Sequence, residues 1–199
     1  ISINWVTTSA MIISIWAVLI LNMAEAQKID SLKVLLNKNA GVTKCDILYQ
    51  IAYEYVDVDN QLGLKYATQA LSAARENCDS LRILKAGRIK SLAFRRLGEL
   101  DSSMHLSLEM LPIARMHHYK DELTQIFNAL ALIYTHNANY DKALNYYFQS
   151  LEIADKNENV YVILNNIGFV YYKLEDYDKA LTYYEQCLNK KKDLNSEDA

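Results

Sequence analysis

The sequence predicts an all-α protein in which helical hairpins stack into an α-solenoid. The 199-residue chain contains five Gly and one Pro, too few for a sandwich or a barrel, whose turns recur about every 8–12 residues. Apolar residues recur at three- and four-residue spacing along most of the chain, as they do on one face of an α-helix. We therefore expect about four helix-turn-helix units after a signal peptide and a short lead-in helix.

An internal repeat is the strongest of these signals. Residues 128–151 and 165–188 are displaced by 37 positions, and 11 of the 24 pairs are identical. The pairs are Asn128/Asn165, Tyr134/Tyr171, Tyr140/Tyr177, Asp141/Asp178, Lys142/Lys179, Ala143/Ala180, Leu144/Leu181, Tyr146/Tyr183, Tyr147/Tyr184, Gln149/Gln186 and Leu151/Leu188. A repeat of this length indicates one supersecondary unit that buries its apolar face only when its neighbours stack on it.

Each unit divides into two helices joined by a short polar turn. In the last unit, Leu164, Ile167 and Val170 mark the first helix, and Glu175 and Asp176 form the turn, with Asp176 a good N-cap residue. Small residues are expected where the two helices approach closely, with tyrosines beside them. The positions that define the repeat are Ala52, Tyr55, Ala131, Tyr134, Ala143, Tyr147, Gly168, Tyr171, Ala180 and Tyr184.

The predicted domain organisation has three parts. Residues 1–26 form a signal peptide or an N-terminal anchor, residues 27–44 a lead-in helix and linker, and residues 45–199 an array of four helical hairpins. The array is expected to be incomplete at its C-terminus, because a solenoid needs a polar capping helix over its last unit. Pro112 falls in the second helix of the second unit, where it is expected to bend or end that helix.

The first residues carry the pattern of a secretory signal. No charged side chain occurs from Ile1 to Ala24, residues 11–21 are almost continuously apolar, and Ala24 and Ala26 supply a small-x-small cleavage site. An uncleaved transmembrane anchor is the alternative. The chain begins with Ile and no Lys or Arg precedes the apolar run, so we expect the true N-terminus to lie upstream.

Composition and motifs argue against several functions. The formal net charge is −3 and no basic stripe is present, so nucleic acid is not an expected partner. The four histidines are scattered, and His105 with Glu109 offers two metal ligands, which are too few for a site. No phosphate-binding glycine loop or nucleophile elbow occurs. We expect no catalytic residues, no metal and no cofactor.

The three cysteines leave an alternative open. Cys45 and Cys78 lie near the starts of two successive units, so they form either a disulfide in an oxidising compartment or two free, partly buried thiols. Cys187 takes the place of a small residue in a second helix, where a core role is expected.

Small-x-x-aromatic in the first helix and Tyr-Asp-Lys-Ala-Leu-x-Tyr-Tyr in the second resemble the tetratricopeptide repeat (TPR). The resemblance covers about residues 45–192, strongly in the last two units. It departs from the commonest pattern in the spacing of the units, 37 to 40 residues rather than about 34, and in lacking the usual helix-ending Pro. The layout is also similar to the exported sensor portion of certain bacterial signalling proteins. That similarity implies a periplasmic location or the outer side of the inner membrane, with membrane attachment through residues 1–24 or a further C-terminal span.

In a TPR array the first helices line a concave groove, and the resemblance implies which side chains face it. Counting each unit from Cys45, Leu84, Thr124 and Tyr161, the second, fifth, ninth and twelfth positions are implied. The groove residues so predicted are Tyr49, Tyr53, Lys85, Arg88, Leu92, Arg95, Asn128, Leu132, Asn165, Phe169 and Tyr172. Aromatic, Arg and Asn side chains suit a protein or peptide ligand.

Three functional hypotheses follow. The first is an exported protein-protein interaction module, the sensor part of a signalling protein. The second is a free-standing envelope scaffold or assembly protein with no output domain. The third places the array on the cytoplasmic side behind an uncleaved anchor. A hydrophobic span of about 20 residues and a signalling domain further along the gene would distinguish the first from the second.

Overall fold

A computed structural model of the chain describes residues 26–154 and 159–197. The predicted signal peptide therefore lies outside the described residues, apart from residue 26. Nine helices and no strand occur in the described ranges, so the all-α prediction is confirmed there. The helices are α1 (26–36), α2 (Gly41–Tyr55), α3 (Asn60–Glu76), α4 (Ser80–Arg96), α5 (Leu100–Met116), α6 (Lys120–His136), α7 (Tyr140–Ile153), α8 (Asn159–Lys173) and α9 (Tyr177–Glu197).

The helices form two layers. Each helix from α2 onward packs on the next, and the first helices of successive hairpins also touch: α2 with α4, α4 with α6, and α6 with α8. Among the described residues no two Cα atoms of different second helices, α3, α5, α7 and α9, come within 8 Å of each other, and these helices meet through side chains such as Arg75 and Glu109. A stack curves toward the layer whose helices lie closer together, so α2, α4, α6 and α8 form the concave face.

The lead-in helix α1 covers the outer side of the first hairpin. Ile29 and Leu32 are buried, and Leu32 joins a cluster with Ile47 and Ile51 of α2. This contact removes from water the apolar face that the first unit would otherwise expose.

Five of the turns share one geometry. The residues Cys78, Gly98, His118, Ala138 and Glu175 each follow the end of a helix with positive φ, of 52°, 80°, 55°, 54° and 61°. After each of them the next N–H bonds to a carbonyl five residues back, as Asn139 does to Tyr134 at 2.9 Å. This is the hydrogen-bond pattern that closes a helix through a left-handed residue.

Polar side chains then start the next helix. The N–H of Lys179 donates to Oδ1 of Asp176 at 3.2 Å, which confirms the predicted N-cap. Asp79 accepts from the N–H of Arg82 in the same way, at 2.9 Å.

The positions that define the repeat lie where the hairpin helices meet. A Cβ on Gly168 would lie 2.9 Å from the ring of Tyr184 and 3.3 Å from the carbonyl oxygen of Ala180, so only glycine fits there without a shift. Of the other nine, Ala52, Ala131, Ala143, Tyr147 and Ala180 are buried, and Tyr55, Tyr134, Tyr171 and Tyr184 are half-buried.

The second hairpin has serines where the later hairpins have small apolar residues. Ser91 and Ser103 take the places of Ala131 and Ala143, and their hydroxyl oxygens lie 2.8 Å apart in the core. Ser107 adds a third hydroxyl, 3.0 Å from Ser91. Because each hydroxyl has a partner, the buried polar groups are tolerated, and the unit departs from the repeat pattern without losing its packing.

Pro112 does not end its helix, so the second of the two outcomes expected for it is wrong. Helix α5 continues to Met116. Proline removes the hydrogen bond to the carbonyl one turn earlier, that of Leu108. Pro112 and Leu108 are both exposed, so water can satisfy that carbonyl and the helix continues.

All three cysteines are free thiols, which decides between the two alternatives for Cys45 and Cys78. Cys45 is buried and its thiol lies 3.5 Å from the carbonyl oxygen of Ala70. Cys78 is exposed in the turn before α4, so the description of both thiols as partly buried is wrong for this one. No helix in the described ranges is long and apolar enough to cross a membrane.

Candidate functional site

The eleven predicted groove residues all lie on the first helices. These helices form the concave layer, so all eleven residues belong to the helices of that layer. Tyr53, Lys85, Asn165, Phe169 and Tyr172 are exposed, and Tyr49, Arg88, Leu92, Arg95, Asn128 and Leu132 are half-buried.

Arg88 connects three successive first helices. Its Nη2 donates to the hydroxyl of Tyr49 on α2 at 2.9 Å, and its Nε lies 3.6 Å from Oε2 of Glu122 on α6. The ring of Tyr49 stacks on that of Tyr53, with centroids 6.5 Å apart. The polar contacts of Arg88 therefore fix the spacing of the first helices across the groove.

Glu122 belongs to this cluster, and sequence reasoning missed it. Its side chain is buried, at 7% exposure, and burial raises its pKa against the opposing effects of Arg88 and Lys85. Glu122 lies two residues before Thr124, the first residue counted in the third unit, so the counted positions do not include it. An acidic residue in the first turn of a helix is also an ordinary feature, because it suits the helix dipole, so the sequence gave no separate signal.

A recess opens between α4 and α6, with its floor on α5. Its cavity volume is about 80 Å³, and it is partly open to solvent. Four predicted groove residues line it, namely Arg88, Leu92, Arg95 and Asn128. The lining residues that the sequence did not identify are Gly87, Ser91, Ser107, Met110, Gln125, Ile126 and Ala129.

Arg88 and Arg95 each have a buried Nε without a hydrogen-bond partner among the described residues, and Arg95 differs in having no carboxylate within 4 Å in those ranges, whereas Arg88 has Glu122. Burial lowers the pKa of Arg95, the nearby charge of Arg96 acts in the same direction, and Tyr147 opposes them. A guanidinium remains protonated in a protein in spite of such a shift, so the recess contains an unpaired positive charge.

The other end of the recess meets the next unit. Nδ2 of Asn166 on α8 donates to Oδ1 of Asn128 at 3.2 Å. The sequence predicted Asn165, which is exposed, whereas the contact between helices is made by the residue beside it.

Two predicted aromatic residues lie apart from the recess. Phe169 and Tyr172 are exposed on α8, at 42% and 52%. Lys173 lies over the ring of Phe169 at 5.3 Å, and Tyr172 meets Tyr177 with centroids 5.9 Å apart. They form a second, aromatic part of the concave face.

The described residues contain no group of three or more His, Cys, Asp or Glu that could hold a metal. Of the two possible metal ligands His105 and Glu109, Glu109 instead forms an ion pair with Nη2 of Arg75. The arrangement offers hydrogen-bond donors, one charged recess and exposed rings, which are the means of binding a polypeptide.

Comparison with known proteins agrees with this architecture. Residues 122–193 match the family model of the tetratricopeptide repeat, which covers α6 to α9, where the sequence repeat is clearest. No curated protein sequence matches the chain.

Solved structures of similar fold extend the likeness beyond that segment. RapI in its apo form has a TM-score of 0.78 at 17% identity, over 86% of this chain and 66% of RapI. The Rap conjugation gene regulator of plasmid pLS20, in complex with the Phr* peptide, has a TM-score of 0.76 at 16% identity, over 88% of this chain and 51% of the regulator.

NprR in complex with its cognate peptide NprX has a TM-score of 0.67 at 20% identity, over 73% of this chain and 43% of NprR. The chain thus spans about two thirds of RapI, about half of the pLS20 regulator and 43% of NprR. At these identities the likeness establishes the fold alone. Residues 122–193 match the tetratricopeptide repeat, and the described part of the chain has the fold of an α-solenoid of the tetratricopeptide type.

Proposed function

We propose that the concave face formed by α2, α4, α6 and α8 binds a segment of another protein or a peptide. The observation that carries this proposal is the combination, on one face, of exposed rings with a recess whose donors are not all satisfied. Tyr53 and Tyr172 are each more than half exposed, and Nε of Arg95 lacks a partner among the described residues. Rings supply contact area at low entropic cost, and unsatisfied donors select a polar partner.

Two of the structurally similar proteins support the class of ligand. The pLS20 regulator was solved with the Phr* peptide and NprR with the NprX peptide. The proposed role is therefore binding, with no catalytic step assigned to the chain.

A peptide-display selection against the full chain tests this function. Tyr53→Ala and Tyr172→Ala remove groove rings, and Leu108→Ala is the matched control because Leu108 is exposed on a second helix. We expect selected peptides to bind each groove variant at least about tenfold more weakly and the control as tightly as the native chain. Failure to select any binder, or equal losses in all three variants, would contradict the proposal.

We also propose that the chain is exported and forms the sensor part of a signalling protein. The apolar run at residues 11–21 and the small residues Ala24 and Ala26 support export. The mass and first residue of the native protein from fractionated cells test both ideas. A long membrane-bound product is the expected result. A product of this length that begins at Gln27 in the periplasm would favour the envelope scaffold instead, and an uncleaved chain with a cytoplasmic array would exclude export.

A further inference from the structure

We propose that Arg95 binds a carboxylate of the peptide ligand in the recess between α4 and α6. This inference rests on the proposed function and deepens it, because it names the chemical group that the recess would select. It predicts a ligand with an acidic residue next to an aliphatic one.

The first argument is the state of the Arg95 side chain. Its Nε is buried and unpartnered among the described residues, and no ion pair connects it to a described carboxylate. Guanidinium presents five donors in a planar fork that matches a carboxylate. A buried cation without a counter-ion is costly, so this position favours an anion from outside the chain.

The second argument is the contrast with other arginines of the chain. Four of them lie within 4 Å of a carboxylate on another part of the fold. These pairs are Arg75 with Glu109, Arg82 with Asp46, Arg88 with Glu122, and Arg96 with Asp57. Arg95 has no such carboxylate among the described residues although it neighbours Arg96. Of the two arginines that line the recess, Arg88 and Arg95, it is the one without an ion pair in the described ranges.

The surroundings of Arg95 define the rest of the ligand. Leu92, Met110 and Ile126 supply apolar surface in the same recess, which suits an aliphatic side chain. Arg88 lies seven residues earlier on α4, about 10 Å along the helix. Because Glu122 already faces Arg88, the charge left for a ligand is that of Arg95.

Two tripeptide probes test the proposal on the full chain. One is N-acetyl-Leu-Asp-Leu-amide and the other is N-acetyl-Leu-Asn-Leu-amide, which has nearly the same shape and no charge. Binding is followed by the NMR signal of the Arg95 Nε–H group and by calorimetry. We expect the aspartate probe to bind at least about tenfold more tightly than the asparagine probe and to shift the Arg95 signal.

Variants then locate the effect. Arg95→Gln should remove the preference for aspartate, and Arg96→Gln is the matched control because Arg96 is exposed and pairs with Asp57 on the outside of the recess. Arg95→Lys keeps the charge but loses the planar fork, so an intermediate preference is expected. This variant also covers the case in which Arg95→Gln does not fold.

The possible failures are distinguishable. Equal affinity of the native chain for the two probes would overturn the role of Arg95, and this comparison needs no variant. If selected peptides bind the groove but the aspartate probe does not bind, the proposal for Arg95 fails and the proposed function stands. If no peptide of any kind binds, both fail.

Discussion

Tyr171 stacks on Tyr183, with ring centroids 5.4 Å apart and planes inclined by 7°. The stack joins α8 to α9, and Nζ of Lys179 lies 5.2 Å above the ring of Tyr171. The preceding hairpin repeats it: Tyr134 stacks on Tyr146 at 5.6 Å and 6°. Residues 37 positions apart in the sequence therefore make the same contact in successive hairpins. The close contact of the two helices beside the stack can be tested by mutation.

Gly168→Ala should destabilise the last hairpin. The added Cβ would lie 2.9 Å from the ring of Tyr184 and 3.3 Å from a backbone oxygen, so the helices must separate or the ring must move. Overpacking of this kind costs about 1–3 kcal/mol, measurable by urea unfolding. Asn165→Ala, at an exposed position of the same helix, is the control and should change stability by less than about 0.5 kcal/mol. Equal effects in the two variants would show that the helices are not in close contact at Gly168.

Ala143→Asp should unfold or strongly destabilise the third hairpin, because Ala143 is fully buried and the variant would place a charge in the core. The expected loss exceeds about 3 kcal/mol and is measured by thermal melting followed by circular dichroism. Asn145→Asp introduces the same side chain two residues later at an exposed position. Unchanged melting of Ala143→Asp would mean that the helices do not meet at this residue.

Substitutions at two turn residues should change the stability of the protein in opposite directions. Ala138 adopts φ 54° and Gly98 adopts φ 80°, a conformation that costs a residue with a Cβ about 1–2 kcal/mol. Ala138→Gly should therefore stabilise the protein by about 0.5–1 kcal/mol after the entropic cost of glycine. Gly98→Ala should destabilise it by about 1 kcal/mol. Thermal melting of both variants is the measurement, and shifts of the same sign would contradict the left-handed assignment.

Glu122→Gln should change how stability depends on pH. Burial raises the folded-state pKa of Glu122 above the ordinary value of 4.5. Below 4.5 the carboxyl is protonated in both states, whereas at higher pH the unfolded chain ionises first. The native protein therefore loses stability as pH rises from 4.5 through the raised pKa.

Glutamine does not titrate, so the variant should gain stability relative to the native chain across that window. Urea unfolding at several pH values between about 4 and 8 measures the difference. A relative stability that does not change with pH would exclude a buried carboxyl at this position.

The thiols should differ in reactivity. Cys78 is exposed, whereas Cys45 is buried and burial raises the pKa of the Cys45 thiol. Since the thiolate is the reactive form, an aromatic disulfide reagent should modify Cys78 quickly and Cys45 only after the protein unfolds. Cys78→Ser identifies the fast signal. Rapid modification of Cys45 in the folded chain would contradict its burial.

Sequence reasoning predicted the fold well because the size of the side chain at each repeated position is set by how the two helices of a hairpin pack. The identity of Ala143 with Ala180 and of Tyr134 with Tyr171 reflects positions that touch within each hairpin. Helix α5 continues past Pro112 for a reason that lies outside local sequence, namely that Pro112 and Leu108 are exposed, so water can satisfy the carbonyl that lost its partner.

The candidate site was predicted less completely. Positions counted along a helix identify which side chains face the groove, and Arg88 and Arg95 were found in this way. Contacts between the first helices of neighbouring hairpins depend on how those hairpins align with each other. The sequence of a single unit does not determine that alignment. Glu122 and Asn166 make such contacts, and each lies within two residues of a counted position.

The neighbour-only packing of the helices bears on how the chain folds. In the described ranges, every contact between helices joins elements that are adjacent or next-but-one in sequence. Structure formed from such local contacts has a low contact order and forms rapidly, and a repeat array can nucleate at any hairpin. An emerging polypeptide can thus complete one hairpin after another in the order of synthesis, without waiting for its last residues to become available.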